Sequence, residues 1–378
     1  MTRLGDVCEK IGSGATPRGG KEAYKDAGIP IIRSQNIHDW VFQPDGLAFL
    51  DDEQAESLSN VEVRSNDVLL NITGDSVARA CIVPSERIPA RVNQHVAIVR
   101  AGKEINPTYL LASLQSKKTT LLSLASSGAT RNALTKRMIE NLDIDLPSRE
   151  MQDSIAQVLD SIQYKITLNN RLNDYLSQIC DAEFTDFVSN QRDASWHDGT
   201  LNELVEIRYG KDHKKLAEGP YPVYGSGGFM RSVEKPLSSG ESVLIPRKGS
   251  LNNVMYVDEK FWTVDTMFFT IPLKPGAAKY VYQYTKRLDF GTMNSGSAVP
   301  SMTTKILNSL VIPIPSDSAL VSFNKKLQPF FDLFGKNEEE NRRLVSLRDI
   351  LLHKLMSGEI DVSKVDLTQL TNNHLADC

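Results

Sequence analysis

The sequence has few cysteines and no long apolar run. Cys8, Cys81, Cys180 and Cys378 lie far apart with no paired spacing. This scatter argues against a disulfide framework and against a zinc site, and it fits a reducing compartment. No segment approaches the ~20 apolar residues of a membrane span. The first ten residues have no apolar core, so we expect no signal peptide and a cytoplasmic protein.

Sequence motifs for catalysis are also missing. The segment GSGATPRGG lacks the Lys-Ser/Thr pair of a phosphate-binding loop. The histidines have no metal-ligand spacing, and there is no G-x-S-x-G nucleophile motif. We therefore expect no catalytic residue, no metal site and no cofactor in this chain. A binding or scaffolding role is the better hypothesis for its 378 residues.

Charge is nearly balanced but unevenly distributed. The chain has 43 Lys and Arg against 47 Asp and Glu, a net charge of −4. Residues 148–197 carry −4 and residues 316–378 carry −2, whereas residues 1–147 carry −1 and residues 198–315 carry +3. Such a distribution permits a local basic face on the two longer segments.

Two segments 168 residues apart carry the same pattern. The first is SSGATRNALTKRMIENLDIDLP at 126–147, and the second is NSGSAVPSMTTKILNSLVIPIP at 294–315. The register continues for 61 residues without a gap and aligns Pro147 with Pro315 and Asn169 with Asn337. Prolines and asparagines that match in one register indicate an internal duplication.

Each copy continues into a predicted long helix. Apolar residues recur there at spacings of three and four, as in the seam of a coiled coil. We expect the two helices to lie antiparallel, and Asn169 and Asn337 either to be solvated or to pair with each other and fix the register. The residues predicted to pair the helices are Ile155, Leu159, Ile162, Asn169, Leu176, Phe323, Leu327, Phe330, Asn337 and Leu344.

Short apolar runs separated by turns precede each helix and predict strands. Examples are IPIIRS, VLLNIT and VAIVR in the first half, and SVLIP and MFFTIP in the second. The prediction is an α+β protein with two mixed α/β domains separated by two long antiparallel helices in a coiled coil, an internal pseudo-twofold repeat. The boundaries are a first domain at 1–147, a first helix at 148–190, a second domain at 198–315, a second helix at 316–360 and a tail at 361–378.

Two similar domains at a fixed spacing suit the reading of two separate half-sites on DNA. Phosphates supply affinity, and base edges supply discrimination through residues such as Arg, Asn and Gln. Several polar loops offer these residues, although the alternative for each loop is an ordinary solvated turn. The candidate DNA contacts are Arg33, Ser34, Gln35, Asn36, Thr73, Arg79, Arg91, Asn93, Gln94, Thr130, Arg131, Lys211, Lys214, Tyr224, Ser226, Arg247, Lys248, Asn252 and Asn253.

The chain resembles the specificity (S) subunits of type I restriction-modification systems over essentially its whole length. The segments that carry the resemblance include LGDVCEKIGSG, RVNQHVAIV, YPVYGSGGF, SVLIPRKGS and LRDILLHKLMSGEI. It implies two target-recognition domains, each reading half of a split double-stranded DNA site. It implies helices that set the gap and dock two methyltransferase (M) subunits along 151–187 and 320–356. S-adenosylmethionine would bind to the M subunits. ATP and magnesium would bind to restriction (R) subunits, which join through the complex. This chain itself would catalyse nothing.

Two alternatives remain open on the sequence. The chain could serve an orphan or fused methyltransferase-nuclease, with the same role on DNA but different partners. It could instead be a coiled-coil scaffold whose two adaptor domains bind protein, which the net charge of −4 slightly favours. Salt-sensitive binding to duplex DNA discriminates, because phosphate contacts lose affinity steeply as salt rises.

Overall fold

The computed structural model describes residues 1–126, 132–293 and 301–362. The chain forms two compact units. The first comprises Met1–Leu168 and the described residues from Glu340 onward, and the second comprises Asn169–Glu339. Within the described ranges, no helix is long and apolar enough to cross a membrane.

The first unit is built from short strands and helices. Its strands are β1 (Thr2–Arg3), β2 (Cys8–Ser13), β3 (Ile29–Ile32), β4 (Ala48–Leu50), β5 (Glu62–Val63), β6 (Val68–Asn71), β7 (Ala80–Ile82), β8 (Ala90–Val92), β9 (Val96–Ala101) and β10 (Asp143–Ile144). Its shorter helices are α1 (Leu4–Val7), α2 (Asp52–Ser57), α3 (Pro107–Ser116), α4 (Lys118–Ser126) and α5 (Lys136–Glu140). One sheet has the order β2-β9-β6-β7 and another β4-β3-β8-β5, while β1 pairs with β10.

The apolar strands of this unit are buried on both faces. Along β6, Val68 and Leu70 enter one core with α3, whereas Leu69 enters a second core with β3 and β8. Successive side chains of a strand point to opposite faces, so a strand between two cores needs a continuous apolar run rather than an alternating one. This explains why VLL is uninterrupted in the sequence.

A helix of 42 residues, α6 (Arg149–Asn190), links the two units along the chain. The second unit has strands β11 (His197–Thr200), β12 (Val205–Tyr209), β13 (Tyr221–Gly225), β14 (Gly228–Val233), β15 (Ser238–Pro246), β16 (Met255–Thr263), β17 (Met267–Pro272) and β18 (Val311–Ile314). Its shorter helices are α7 (Ala277–Thr285) and α8 (Thr304–Asn308). Helix α9 (Asp317–Met356) begins in the second unit and ends in the first. The main sheet has the order β12-β17-β15-β16-β13-β14, and β11 pairs with β18.

The predicted duplication recurs as matching structure. Helices α5 and α8 begin 168 residues apart, and each is capped by a threonine hydroxyl, Thr135 or Thr303. In the first unit Tyr109 on α3 donates its hydroxyl to the carbonyl of Asp145 at 2.9 Å. In the second unit Tyr280 on α7 donates to the carbonyl of Pro313 at 2.7 Å. The fold class, with two sheet-rich domains and long helices, is confirmed.

The two long helices run antiparallel within each unit. In the first unit Lys165 pairs with Glu340 at 3.2 Å, and Arg348 donates to Gln163 at 3.0 Å. In the second unit Lys326 pairs with Glu183. Higher residue numbers on one helix therefore meet lower numbers on the other.

The predicted pairing residues mostly lie inside the cores. Ile155, Leu159 and Ile162 enter the core of the first unit, with Leu344 packed against it. Phe323 and Leu327 enter the core of the second, with Phe330 packed against it, and Leu176 is buried. The helices thus pack on the sheet domains as well as on each other.

Asn337 has an asparagine partner that the sequence did not predict. Asn337 donates its amide to Oδ1 of Asn173 at 2.7 Å. Asn173 lies one helical turn from Asn169, the partner predicted for Asn337. Asn169 is also buried, so it is not the solvated position of the alternative prediction. The pairing of Asn169 with Asn337 stays a prediction, while Asn173 is a partner of Asn337 that the repeat period alone did not give.

Candidate nucleic-acid interface

In the first unit, three loops meet where β6 ends. The N–H of Ile72 donates to the carbonyl of His95 at 2.9 Å, and the N–H of Leu134 donates to the carbonyl of Ile72 at 2.8 Å. Gly74 follows with a φ of 77°, a left-handed conformation that favours glycine. We call this meeting of 72–74, 95 and 132–134 the first junction.

In the second unit, the end of β15 is held in the same way. The N–H of Arg247 donates to the carbonyl of Thr266 at 2.8 Å, and the N–H of Met302 donates to the carbonyl of Arg247 at 2.9 Å. Gly249 has a φ of 84°. We call this meeting of 247–249, 266 and 301–302 the second junction. The two junctions are equivalent because their backbone bonds match one for one.

A fourth loop reaches each junction through a glycine. A Cβ on Gly14 would lie 2.1 Å from the carbonyl oxygen of Val92, and one on Gly210 would lie 2.0 Å from that of Val264. Both contacts are far closer than a methyl group tolerates, so the backbone approach requires glycine. These glycines bring 14–18 to the first junction and 209–215 to the second.

Polar side chains at the first junction form a chain of hydrogen bonds. Thr16 bonds to Oε1 of Gln94, and Nε2 of Gln94 lies 3.0 Å from Nε2 of His95. Because an amide nitrogen only donates, Nε2 of a neutral His95 accepts, and its Nδ1 donates to Oγ1 of Thr73 at 2.6 Å. Gln94 is exposed and held in one orientation by this network.

The loop after β3 lies beside the first junction. Asn71 at the end of β6 donates its amide to the carbonyl of Ser34 at 2.9 Å. Arg33 is half-buried, lies 5.4 Å from the ring centroid of Tyr24 and donates to the carbonyl of Gly46 at 2.5 Å. Gln35 donates more weakly to the same carbonyl at 3.3 Å and is exposed. Gln35 therefore remains available to a ligand.

The second junction carries a stacked arginine and free lysines. The guanidinium of Arg247 lies 5.5 Å from the ring centroid of Tyr209, which is about half exposed. Lys211, Lys214 and Lys248 are exposed, and none has a side-chain hydrogen bond or ion pair to another residue in the described part of the chain. These three cations are free to meet an anion.

The loops around the two junctions hold more Lys and Arg than Asp and Glu although the whole chain is acidic, and one of these cations, Arg91, is buried and paired with Glu62. Segments 14–18, 33–36, 71–79, 91–95 and 132–137 together hold six Lys and Arg and one Asp, a net charge of +5. Segments 209–215, 224–231, 247–253 and 264–266 hold six Lys and Arg and two Asp, a net charge of +4. One of these acids, Asp212, accepts the N–H of Lys214, and this bond holds its pKa below the usual range.

Comparison with known proteins agrees with this geometry. The family model for the type I restriction modification DNA specificity domain matches residues 1–178 and 194–345. The chain belongs to this family. The resemblance inferred from the sequence is thereby confirmed.

Individual specificity subunits match the chain over lengths that differ from one protein to another. The putative type I restriction enzyme MjaX specificity subunit of Methanocaldococcus jannaschii is 21% identical, covering 96% of this chain and 93% of that protein. The type I restriction enzyme HindI specificity subunit of Haemophilus influenzae is 32% identical over 35% of this chain and 25% of its own length. The crystal structure of the type I S subunit from M. genitalium has the same fold, with a TM-score of 0.57 at 16% identity, covering 94% of this chain and 95% of that one.

Four candidate DNA contacts have buried side chains that bond within the protein. Asn36 donates to the carbonyls of Gln43 and Asp45, and Arg91 donates to the carbonyl of Ala55 and pairs with Glu62 at 3.2 Å. Asn93 accepts the N–H of His95, and Tyr224 donates to Glu259 at 2.6 Å. All four are less than 9% exposed, so these predictions are corrected: the residues position loops rather than face a ligand.

The other candidates differ in how free they are. Thr130 and Arg131 lie outside the described residues. Asn252 donates to Asp289 at 2.9 Å, and Asn253 donates to the carbonyl of Ser226 at 2.8 Å, so both amides are partly engaged. Arg79 is half-buried and its guanidinium has no partner within the described ranges.

Sequence reasoning missed several residues at the junctions. Thr16 reaches the first junction, and Tyr209 reaches the second beside Arg247. Their signal in the sequence was the glycine just before or after them, Gly14 or Gly210. A glycine between a strand and a polar loop often marks a close approach of two backbones.

Proposed function

We propose that this chain is the non-catalytic DNA-reading subunit of a type I restriction-modification complex. Each domain reads one half of a split double-stranded site through its junction. The first junction uses Gln35, Thr73, Arg79 and Gln94, and the second uses Lys211, Lys214, Arg247 and Lys248. Thr130 and Arg131 stay candidate contacts from the sequence alone.

The observation that carries this proposal is the equivalence of the two junctions. Each presents donors and cations on loops fixed by backbone hydrogen bonds, at a local charge of +5 or +4 in a chain of net charge −4. Phosphate contacts by such cations supply affinity, and amide or guanidinium groups supply base discrimination. Lys211, Lys214 and Lys248 bring phosphate-binding capacity without breaking any internal bond.

We assign the two long helices to spacing and partner docking. Helices α6 and α9 carry large exposed apolar side chains outside the cores, including Tyr164 in the first unit and Tyr175 in the second. Apolar groups of this size on a helix surface are typical of protein contacts. The partners are two M subunits, which bring S-adenosylmethionine, and R subunits held through the complex, which bring ATP and magnesium.

The first test is the pattern of adenine methylation in the source cell before and after deletion of the gene. We expect one motif, two short half-sites around a fixed gap, to lose its methylation. If every methylated motif survives, a working specificity subunit is excluded under those growth conditions. The proteins that co-purify with the chain then decide between an orphan methyltransferase-nuclease and a protein scaffold.

A second test asks whether the second junction binds DNA. Lys248→Ala should weaken binding of the assembled complex to its mapped site and reduce the slope of log K against log salt by about 0.9 for each phosphate that is no longer neutralised. Lys260, exposed on β16 opposite Ser239, is the matched control because it also lacks a partner within the described ranges. An equal effect of Lys248→Ala and Lys260→Ala would mean that the second junction is not a DNA surface.

A further inference from the structure

Two large apolar residues stand exposed beside the second junction. Phe229 and Met230 are neighbours on β14, and they are 55% and 54% exposed. Since successive residues of a strand point to opposite faces, one of the two should lie against the sheet. Both are instead about half exposed on β14, which is the edge strand of the sheet, and Phe229 lies edge-on to Tyr224 with ring centroids 6.5 Å apart. Exposed apolar residues on an edge strand favour pairing with other chains, so we looked for a ligand that would cover Phe229 and Met230.

The hairpin that carries these residues is held firmly against the junction. Strands β13 and β14 pair up to Gly225 and Gly228, so the turn is tight. Asn253 donates to the carbonyl of Ser226 at 2.8 Å, and a Cβ on Gly249 would lie 2.6 Å from the hydroxyl of Ser226. The apolar tip therefore has a fixed place beside Arg247–Lys248.

Charge around the tip indicates what it meets. Lys211 and Lys248 are exposed without partners in the described ranges, and the segments of the second junction, hairpin included, carry +4. An apolar group flanked by cations suits a ligand that is anionic outside and apolar within. Duplex DNA is such a ligand, because phosphates line its edges and base steps can open to admit an apolar side chain.

The equivalent place in the described part of the first domain carries a polar loop instead. Strand β3 pairs in parallel with β8 as β13 pairs in parallel with β16. After β3, however, the chain continues into the polar loop Arg33, Ser34 and Gln35 rather than a hairpin tip. We therefore expect an apolar contact with DNA at the second half-site only.

We infer that Phe229 and Met230 form a wedge that enters the base stack of the second half-site and bends the duplex there. The inference rests on the proposed function, since it assumes that the second junction lies on DNA. Opening a base step costs energy, which the extra contacts of the bent duplex with Lys211, Arg247 and Lys248 offset. The second domain would then select sequence partly by how readily a step deforms.

The test uses the full chain assembled with its methyltransferase subunits on a duplex that carries the mapped site. 2-Aminopurine is placed in turn at positions of the second half-site other than the methylated adenine, and a dye pair at the duplex ends reports bending. The wild-type complex should raise the fluorescence of one such position and the energy transfer between the dyes. Phe229→Ala with Met230→Ala should abolish both changes and weaken binding by about tenfold.

Controls separate the wedge from simpler causes of weak binding. Phe229→Trp should keep both signals, because indole also stacks between bases. Val311→Ala truncates another strongly exposed apolar residue, 63% exposed on β18, and should change neither signal.

If the double variant binds and bends DNA as the wild type does, the wedge is refuted while the DNA-reading role stands. If the variant instead releases its methyltransferase subunits, the hairpin docks protein and the inference falls. If the wild-type complex does not bind DNA at all, the proposed function itself fails.

Discussion

Removing the Asp67 carboxylate should strongly destabilise the first unit. Asp67 is fully buried immediately before β6, whose far end forms the first junction. Its two oxygens accept Nε and Nη2 of Arg100 at 2.7 and 2.8 Å, and one also accepts the N–H of Arg64 at 2.7 Å. This pairing with Asp67 is the main reason that the pKa of Arg100 is raised.

The size of the effect follows from burial. Asp67→Ala leaves the Arg100 guanidinium, only 11% exposed, without its counter-charge. An uncompensated buried charge costs about 3–5 kcal/mol. Glu206 and Arg208 form the same two-point contact, at 2.9 and 2.9 Å, but both side chains are about half exposed. Glu206→Ala should therefore lower the free energy of unfolding far less than Asp67→Ala does.

The assay is urea unfolding of each variant, combined with hydrogen exchange resolved by peptide. Asp67→Ala should lower the free energy of unfolding and speed exchange along β6 and the loop to Arg79, while peptides of the second unit keep their protection. Adding Arg100→Met should restore part of the stability, because an apolar replacement of the pair leaves no buried charge. If Asp67→Ala costs no more than Glu206→Ala, burial does not set the strength of this pair and the reasoning is wrong.

Three further outcomes are expected. Asn173→Leu should destabilise the second unit by about 1–3 kcal/mol in urea unfolding, because the buried amide of Asn337 loses its acceptor. Tyr280→Phe should cost about 1–2 kcal/mol in the same assay, since the carbonyl of Pro313 loses its donor. Burial raises the pKa of the Cys8 thiol to about 12 and that of Cys180 to about 11, so at pH 8 both should react with iodoacetamide far more slowly in the native protein than in urea, as read by peptide mass spectrometry.

The repeat and the elements it contains could be predicted from the sequence. The positions of β6 and β15 could be predicted from apolar runs, because a strand between two cores must be apolar throughout. The positions of α6 and α9 could be predicted from apolar residues at spacings of three and four, because both helices are long enough for this period to be unambiguous. The runs VLLNIT and SVLIP were both predicted as strands, and the two junctions lie at their ends.

The division of polar loop residues into buried and exposed could not be predicted in this way. Asn36 is buried because its side-chain amide donates to the backbone carbonyls of Gln43 and Asp45. Arg91 is inside because α2 ends with the carbonyl of Ala55 aimed at it. Each partner is fixed by tertiary structure, so the same residue types read as solvent-facing in the sequence. The exposure of Phe229 and Met230 could not be predicted either, because the sequence does not show that their strand lies at the edge of the sheet.

The way the junctions are built separates the scaffold from the reading surface. Each junction closes through backbone bonds, from Leu134 to Ile72 and from Met302 to Arg247, which any residue except proline as donor can supply. The side chains on these loops are thus free to differ, and they do. Thr73 bonds to a histidine in the first domain, whereas Lys248 at the equivalent place in the second has no side-chain partner among the described residues. Gly14 and Gly210 have no such freedom, because a Cβ at either would overlap a carbonyl oxygen. A fold of this kind can change what it reads without changing how it folds, which is what a specificity subunit requires.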